Sequence, residues 1–241
     1  MARGRPLRRV GGDPAYPLSP DAWPGSIPAV RQVLDEGLEL DGLTVLVGEN
    51  GSGKSTVVEG LAMAFGMSAE GGSTGARHAT RSSESVLHRH LMLTREPGGP
   101  RWGFFLRAET MHSFYTYLED NPNPYRTPDT AFHELSHGES FLELIAARFD
   151  DPGLYVLDEP EAALSFSGAL ALVGVLQDIA ESYSAQAVVA THSPIVAATP
   201  GAVLYEVGPW GLRRSSWAEL SLVQHWKSFL DAPERYFRHL R

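Results

Sequence analysis

Residues 43–56 read Leu-Thr-Val-Leu-Val-Gly-Glu-Asn-Gly-Ser-Gly-Lys-Ser-Thr. The first five form an apolar, β-branched run, which predicts a buried strand. The next nine fit G-x-x-x-x-G-K-[ST], and Val57, Val58, Leu61 and Phe65 follow at helical spacing up to Gly66, a natural stop. Strand, glycine-rich loop and helix together are the setting in which this pattern cradles phosphate. Gly48, Gly51 and Gly53 let the backbone turn its N–H groups inward, where a Cβ would obstruct it. The helix starting near Lys54 adds the positive end of its dipole. Lys54 can reach β- and γ-phosphates, and the Ser55 hydroxyl can ligate Mg2+. The run Glu49, Asn50, Gly51, Ser52, Gly53, Lys54, Ser55 and Thr56 is therefore the candidate nucleotide-binding loop. The chain has two lysines, Lys54 and Lys227, against eighteen arginines, so a lysine here answers a specific need.

A second constellation is Leu154-Tyr155-Val156-Leu157-Asp158-Glu159-Pro160. An apolar strand ending in two carboxylates places both at the carboxyl edge of a parallel sheet, where ligands of such sheets bind. Asp158 is the candidate Mg2+ ligand, and Glu159 the candidate base for an attacking water. A third is Leu135-Ser136-His137-Gly138-Glu139, leading into an amphipathic helix over about 138–149. Ser136 and Gly138 at a helix start can form a second anion site, or the serine can be an ordinary cap. The fourth, Ala190-Thr191-His192-Ser193-Pro194, follows the strand of Val188 and Val189. His192 can act on a γ-phosphate from there, or be a structural histidine.

The 241 residues suit one ordinary domain, and 43% hydrophobic with 20% charged residues predicts a globular chain. Apolar runs are too short for a bilayer span, and no signal-peptide core follows the N-terminus. Cysteine is absent, which excludes disulfides and thiolate metal sites and fits a cytoplasmic protein. A net charge of −9 and a pI near 5.4 argue against tight autonomous DNA binding. Residues 1–28, rich in Pro, Gly and Arg, are expected to be an irregular arm. Arg3, Arg5, Arg8 and Arg9 make it basic, either a frayed tail or the route for weak, salt-dependent DNA binding. The remainder, 29–241, reads as a single domain with a subdomain over about 110–150. A hairpin is expected from strands near 86–93 and 102–109 across Glu96–Pro100, and another around Gly208–Gly211. Strands alternating with helices imply an α/β fold, a mixed, mainly parallel sheet flanked by helices.

In this order the four elements resemble the ABC-type ATPases: phosphate loop (Walker A), Leu-Ser-x-Gly signature, Asp-Glu-Pro Walker B and switch histidine. The spacing agrees, with 22 residues from Ser136 to Asp158 and 33 from Glu159 to His192. Gly-Glu-Asn-Gly-Ser-Gly-Lys-Ser-Thr, Asp-Glu-Pro-Glu-Ala-Ala-Leu-Ser and Ala-Thr-His-Ser-Pro are more similar to small stand-alone ATPases of the SMC/RecF-like branch than to transporter subunits. The likeness covers roughly residues 43–200 and implies Mg2+-dependent ATP hydrolysis by a head-to-tail homodimer. Each ATP would lie between the phosphate loop of one subunit and Ser136 and Gly138 of the other. Lys54, Glu159 and His192 would be catalytic, and Ser55 and Asp158 would hold the metal.

The chain departs from that pattern in three places. No Gln occurs between residues 33 and 176, where ABC-type ATPases end a strand with one; Glu109 is the candidate replacement and third metal contact, or else a surface carboxylate. His137 and Glu139 replace the commonest signature residues, and Ser165 stands where an Asp is typical. With 82 residues from Lys54 to Ser136, the long coiled coil of SMC-type proteins has no room. Trp23 and Tyr16 are candidates for stacking on adenine, with core packing the competing expectation for both. Arg77 and Arg81 are candidate phosphate or partner contacts, or plain surface charge. The favoured function is a soluble SMC/RecF-like ATPase serving DNA maintenance or phage defence, with a DNA or protein partner. The alternatives are the ATP-binding subunit of an ABC transporter and a non-hydrolysing nucleotide switch.

Overall fold

The computed structural model describes residues 4–74, 85–107, 149, 151–162 and 164–238. Leu43–Val47 has apolar side chains on both faces, as does Leu154–Leu157, and such strands are stable only inside a parallel sheet covered on both sides. That is where they lie. The described strands are β1 (Arg9–Gly12), β2 (Leu38–Glu39), β3 (Leu43–Gly48), β4 (Gly72–Ser73), β5 (Leu91–Thr94), β6 (Gly103–Arg107), β7 (Leu154–Asp158), β8 (Gln186–Thr191), β9 (Val203–Gly208) and β10 (Gly211–Ser215). The main sheet has the order β10-β9-β3-β8-β7-β6-β4. Its five middle strands run parallel, and β10 and β4 add antiparallel edges.

The described helices are α1 (Pro28–Asp35), α2 (Lys54–Phe65), α3 (Phe166–Glu181), α4 (Ser221–Asp231) and α5 (Glu234–Phe237). The two-residue strand period sends Leu43, Val45 and Val47 to one face, where Leu172, Leu176 and Ile179 of α3 cover them. Leu46, Val156 and Val188 point the other way, onto Val57, Val58 and Leu61 of α2. Gly66 ends α2 in the left-handed conformation with φ of 108° and returns its N–H to Ala62 and Met63 carbonyls. No helix among the described residues is long and apolar enough to cross a membrane.

Two expectations are corrected. The first 28 residues are not simply an irregular arm: β1 is the central strand of a second sheet, β2-β1-β5, all antiparallel. Leu7 and Val10 are buried in the core. Gln186 in turn fixes Leu7 by accepting from its N–H at 2.9 Å and donating to its carbonyl at 2.8 Å. Arg8 and Arg9 lie 3.9 and 3.3 Å from Glu39, and Arg5 lies 3.9 Å from Asp41, so these arginines face acidic neighbours of their own fold. Deleting residues 1–10 would thus remove half of β1 rather than a loose tail.

The hairpin across Glu96–Pro100 does not form. β5 pairs with β1, while β6 pairs with β7 and β4 in the main sheet, and residues 86–90 are a 3-10 turn. The difference is physical: Gly103–Leu106 is buried on both faces, whereas β5 alternates half-buried and exposed residues. The hairpin of β9 and β10 around Gly208–Gly211 forms as expected. Trp23 and Tyr16 are not core residues; they are 59% and 65% exposed. Arg77, Arg81, the helix expected over 138–149 and the subdomain over 110–150 lie outside the described residues, apart from Phe149.

α3 opens on Ser165, whose Oγ accepts from the Gly168 N–H at 3.2 Å, an N-terminal cap where the resembling family has an Asp. Ser165→Ala is expected to destabilise the fold by about 1 kcal/mol, and Ser165→Asp to leave it unchanged, in urea unfolding followed by circular dichroism.

Candidate functional site

Because β3, β6, β7 and β8 run parallel, their carboxyl ends meet at one edge of the sheet. The register places Arg107 beside Asp158, Asp158 beside Ala190, and Val47 beside Thr191. The phosphate loop leaves β3 at this edge. A Cβ on Gly48 would lie 2.4 Å from the Val207 carbonyl, and one on Gly53 would lie 2.5 Å from Ile27 Cγ2. Gly51 and Gly53 hold φ of 80° and 98°, so the loop needs glycine for both space and backbone sign. Gly53 caps α2 with no side-chain hydrogen bond, which leaves the first-turn N–H groups facing the cleft.

Lys54 is buried, 3% exposed, and its ammonium donates to the Gly48 and Glu49 carbonyls at 2.8 and 2.9 Å. Burial holds its pKa below the usual lysine value, opposed by Glu159, Asp158, Glu161 and Glu49. The Ser55 hydroxyl donates to Asp158 Oδ1 at 2.9 Å across 103 residues of sequence, which brings the loop and the acidic strand end into contact. Arg107 bridges from the other side, with Nε 3.5 Å from Asp158 Oδ2 and Nη1 2.8 Å from Glu59 Oε2.

Glu159 is the one non-glycine residue with positive φ among the described residues, at 52°. A left-handed glutamate costs roughly 1–3 kcal/mol and persists only where its surroundings impose it. Its N–H donates to the Ala190 carbonyl at 2.9 Å, and its carbonyl accepts from the Ala162 N–H at 3.0 Å. That turn sets Glu159 Oε1 3.3 Å from His192 Nδ1. Behind them Glu161, 9% exposed, accepts from the Thr191 hydroxyl and from the His192 N–H at 3.2 Å. Glu161 therefore fixes the end of β8 on which the histidine stands.

A cleft of about 650 Å³ opens at this edge, lined by Asn50, Gly51, Gly53, Lys54, Ser55 and Thr56 with Arg107, Asp158 and Glu159, and His192 stands behind Glu159. Its chemistry suits a phosphate chain with a hard cation. It offers backbone donors, a buried ammonium, a loop that a Cβ would fill, and hydroxyl and carboxylate oxygens at one point. Ser52 adds a buried hydroxyl with no hydrogen-bond partner among the described residues. The structure thus gathers the expected loop residues, Asp158, Glu159 and His192 at one place. Ser136, Gly138 and Glu109 lie outside the described residues.

Arg107, Glu59, Glu161 and Thr191 are site residues that sequence reasoning passed over. Arg107 carries the same signal that marks Asp158, a charged residue closing an apolar strand. β6 is described as far as Arg107, two residues before the candidate Glu109.

The fold is that of the P-loop ATPases, a parallel-dominated α/β sheet flanked by helices with a phosphate loop at its carboxyl edge. The family model described as "AAA domain, putative AbiEii toxin, Type IV TA system" matches residues 43–125, about a third of the chain. A structure described as a "putative metal-chelate type ABC transporter", in an inward-facing conformation, aligns over 94% of this chain and 89% of its own, with a TM-score of 0.50 and 16% identity. The SMC head domain from Thermotoga maritima aligns over 75% and 92%, with a TM-score of 0.43 and 17% identity. A dimeric bacterial ABC transporter cassette aligns over 75% and 88%, with a TM-score of 0.43 and 13% identity. No curated protein matches the sequence.

Proposed function

We propose that this chain binds ATP with Mg2+ in the cleft and hydrolyses it to ADP and phosphate as a head-to-tail homodimer. The observation that carries this is the Ser55–Asp158 contact at 2.9 Å with Glu159 and His192 beside it. A phosphate loop without such an acidic neighbour would bind nucleotide and go no further.

Lys54 and the N–H groups of Glu49–Thr56 would hold the phosphates, and Ser55 and Asp158 would hold Mg2+, whose charge offsets that of the phosphate oxygens. Glu109 is proposed as a further contact near the metal. Glu159 accepts the proton of the attacking water as its oxygen bonds to the γ-phosphorus; the bond from that phosphorus to the β–γ bridging oxygen breaks, and ADP leaves with the electron pair. His192, 3.3 Å from Glu159, orients that carboxylate and faces the departing phosphate. Ser136 and Gly138 of a second subunit would close the site, which makes each site incomplete alone. The working role is that of a cytoplasmic SMC/RecF-like ATPase in DNA maintenance or phage defence.

A composite site makes a kinetic demand. Phosphate released per subunit is expected to rise with protein concentration until dimers saturate. A rate per subunit that stays constant over a hundredfold dilution would exclude a shared site.

A further inference from the structure

The cleft holds an interior cation that belongs to neither the phosphate loop nor the acidic strand end. Arg107 closes β6 in register with Asp158. Its guanidinium reaches Glu59 Oε2 at 2.8 Å and approaches Asp158 Oδ2 at 3.5 Å. Glu59, one turn along α2 from Ser55, also accepts from the Ser85 N–H at 3.1 Å through its other oxygen. An anchored carboxylate therefore holds the arginine in place. The three side chains are 23%, 10% and 6% exposed for Arg107, Glu59 and Asp158, so the charges are poorly screened. Asp158 Oδ1 meanwhile receives the Ser55 hydroxyl. One carboxylate thus faces the hydroxyl that a divalent cation would share and, on its other side, a fixed positive charge.

We propose that Arg107 couples metal entry to nucleotide entry, an inference that rests on the function proposed above. A bare divalent cation at Asp158 meets a guanidinium a few ångströms away, where repulsion is several times stronger than in water. A triphosphate reverses the sign of that effect, because its oxygens attract both cations. The metal then enters with the nucleotide and binds poorly alone, which keeps the site from filling with free cation.

The test uses the whole chain and Mn2+ as probe, with free Mn2+ followed by its electron paramagnetic resonance signal. Without nucleotide, Arg107→Gln and Arg107→Met are expected to bind Mn2+ on the order of tenfold more tightly than the parent, while Arg107→Lys, which keeps the charge, stays near the parent value. In the presence of a chelator, metal-free ATP is expected to bind the two neutral variants several-fold more weakly. Two neutral variants of different shape, each checked by thermal melting, keep the test open if one fails to fold. If folded neutral variants take bare Mn2+ no better than the parent while Mn2+ with ATP binds normally, the role of Arg107 is overturned and the site stands. If Mn2+ with ATP binds to none of the proteins, the nucleotide site itself is wrong, and this inference falls with it.

Discussion

Glu159→Gln is expected to lower ATP turnover by on the order of a hundredfold or more while leaving Mg2+·ATP binding in place. The substitution keeps side-chain size and removes only the basic oxygen. The turn that carries it is fixed by backbone bonds to Ala190 and Ala162, which the amide does not disturb. Lys54, Ser55 and Asp158, the groups proposed to bind, are untouched. Phosphate release in steady state measures the first half of the expectation and a calorimetric titration the second. Loss of both together would mean that Glu159 supports the cleft rather than the chemistry.

The second large effect is expected from Lys54→Ala. Lys54 is nearly inaccessible, and its ammonium is held over the loop by the Gly48 and Glu49 carbonyls. Those carbonyls are weak competitors for a cation that phosphate oxygens can reach. Removing the ammonium is expected to weaken ATP binding at least tenfold, about 1.4 kcal/mol, and to reduce turnover with it. Arg107 remains in the cleft but is committed to Glu59 and Asp158, so it does not replace the lost lysine. An unchanged calorimetric affinity would move the nucleotide away from this loop.

How much of this was legible follows from how local each signal is. The phosphate loop could be read because its requirements are contained in fourteen consecutive residues: an apolar strand, three glycines, a lysine and a hydroxyl. Asp158 and Glu159 could be read because they close an apolar strand, and parallel topology then brings them to the loop. β1 could not be read, because its partners Leu38–Glu39 and Leu91–Thr94 are far away in sequence and Arg9-Val10-Gly11-Gly12 has little strand character of its own. Pairing across the chain overrode that local preference. Glu161 was hidden for another reason. Its neighbours in sequence suggest a solvated acidic turn, and only the fold reveals that Thr191 and the His192 N–H meet its carboxylate. Arg107 was within reach, one residue beyond a run of buried aromatics and leucine.

The shared site is the central claim, and molecular mass tests it most directly. Multi-angle light scattering of the Glu159→Gln protein with Mg2+ and ATP is expected to give a dimer, because uncleaved nucleotide bound by two subunits shifts association by mass action. With ADP the same protein is expected to return toward the monomer, and adding Ser136→Arg is expected to abolish the ATP-dependent dimer. A mass that does not change between ATP and ADP, in a protein that calorimetry shows to bind both, would contradict the dimeric mechanism.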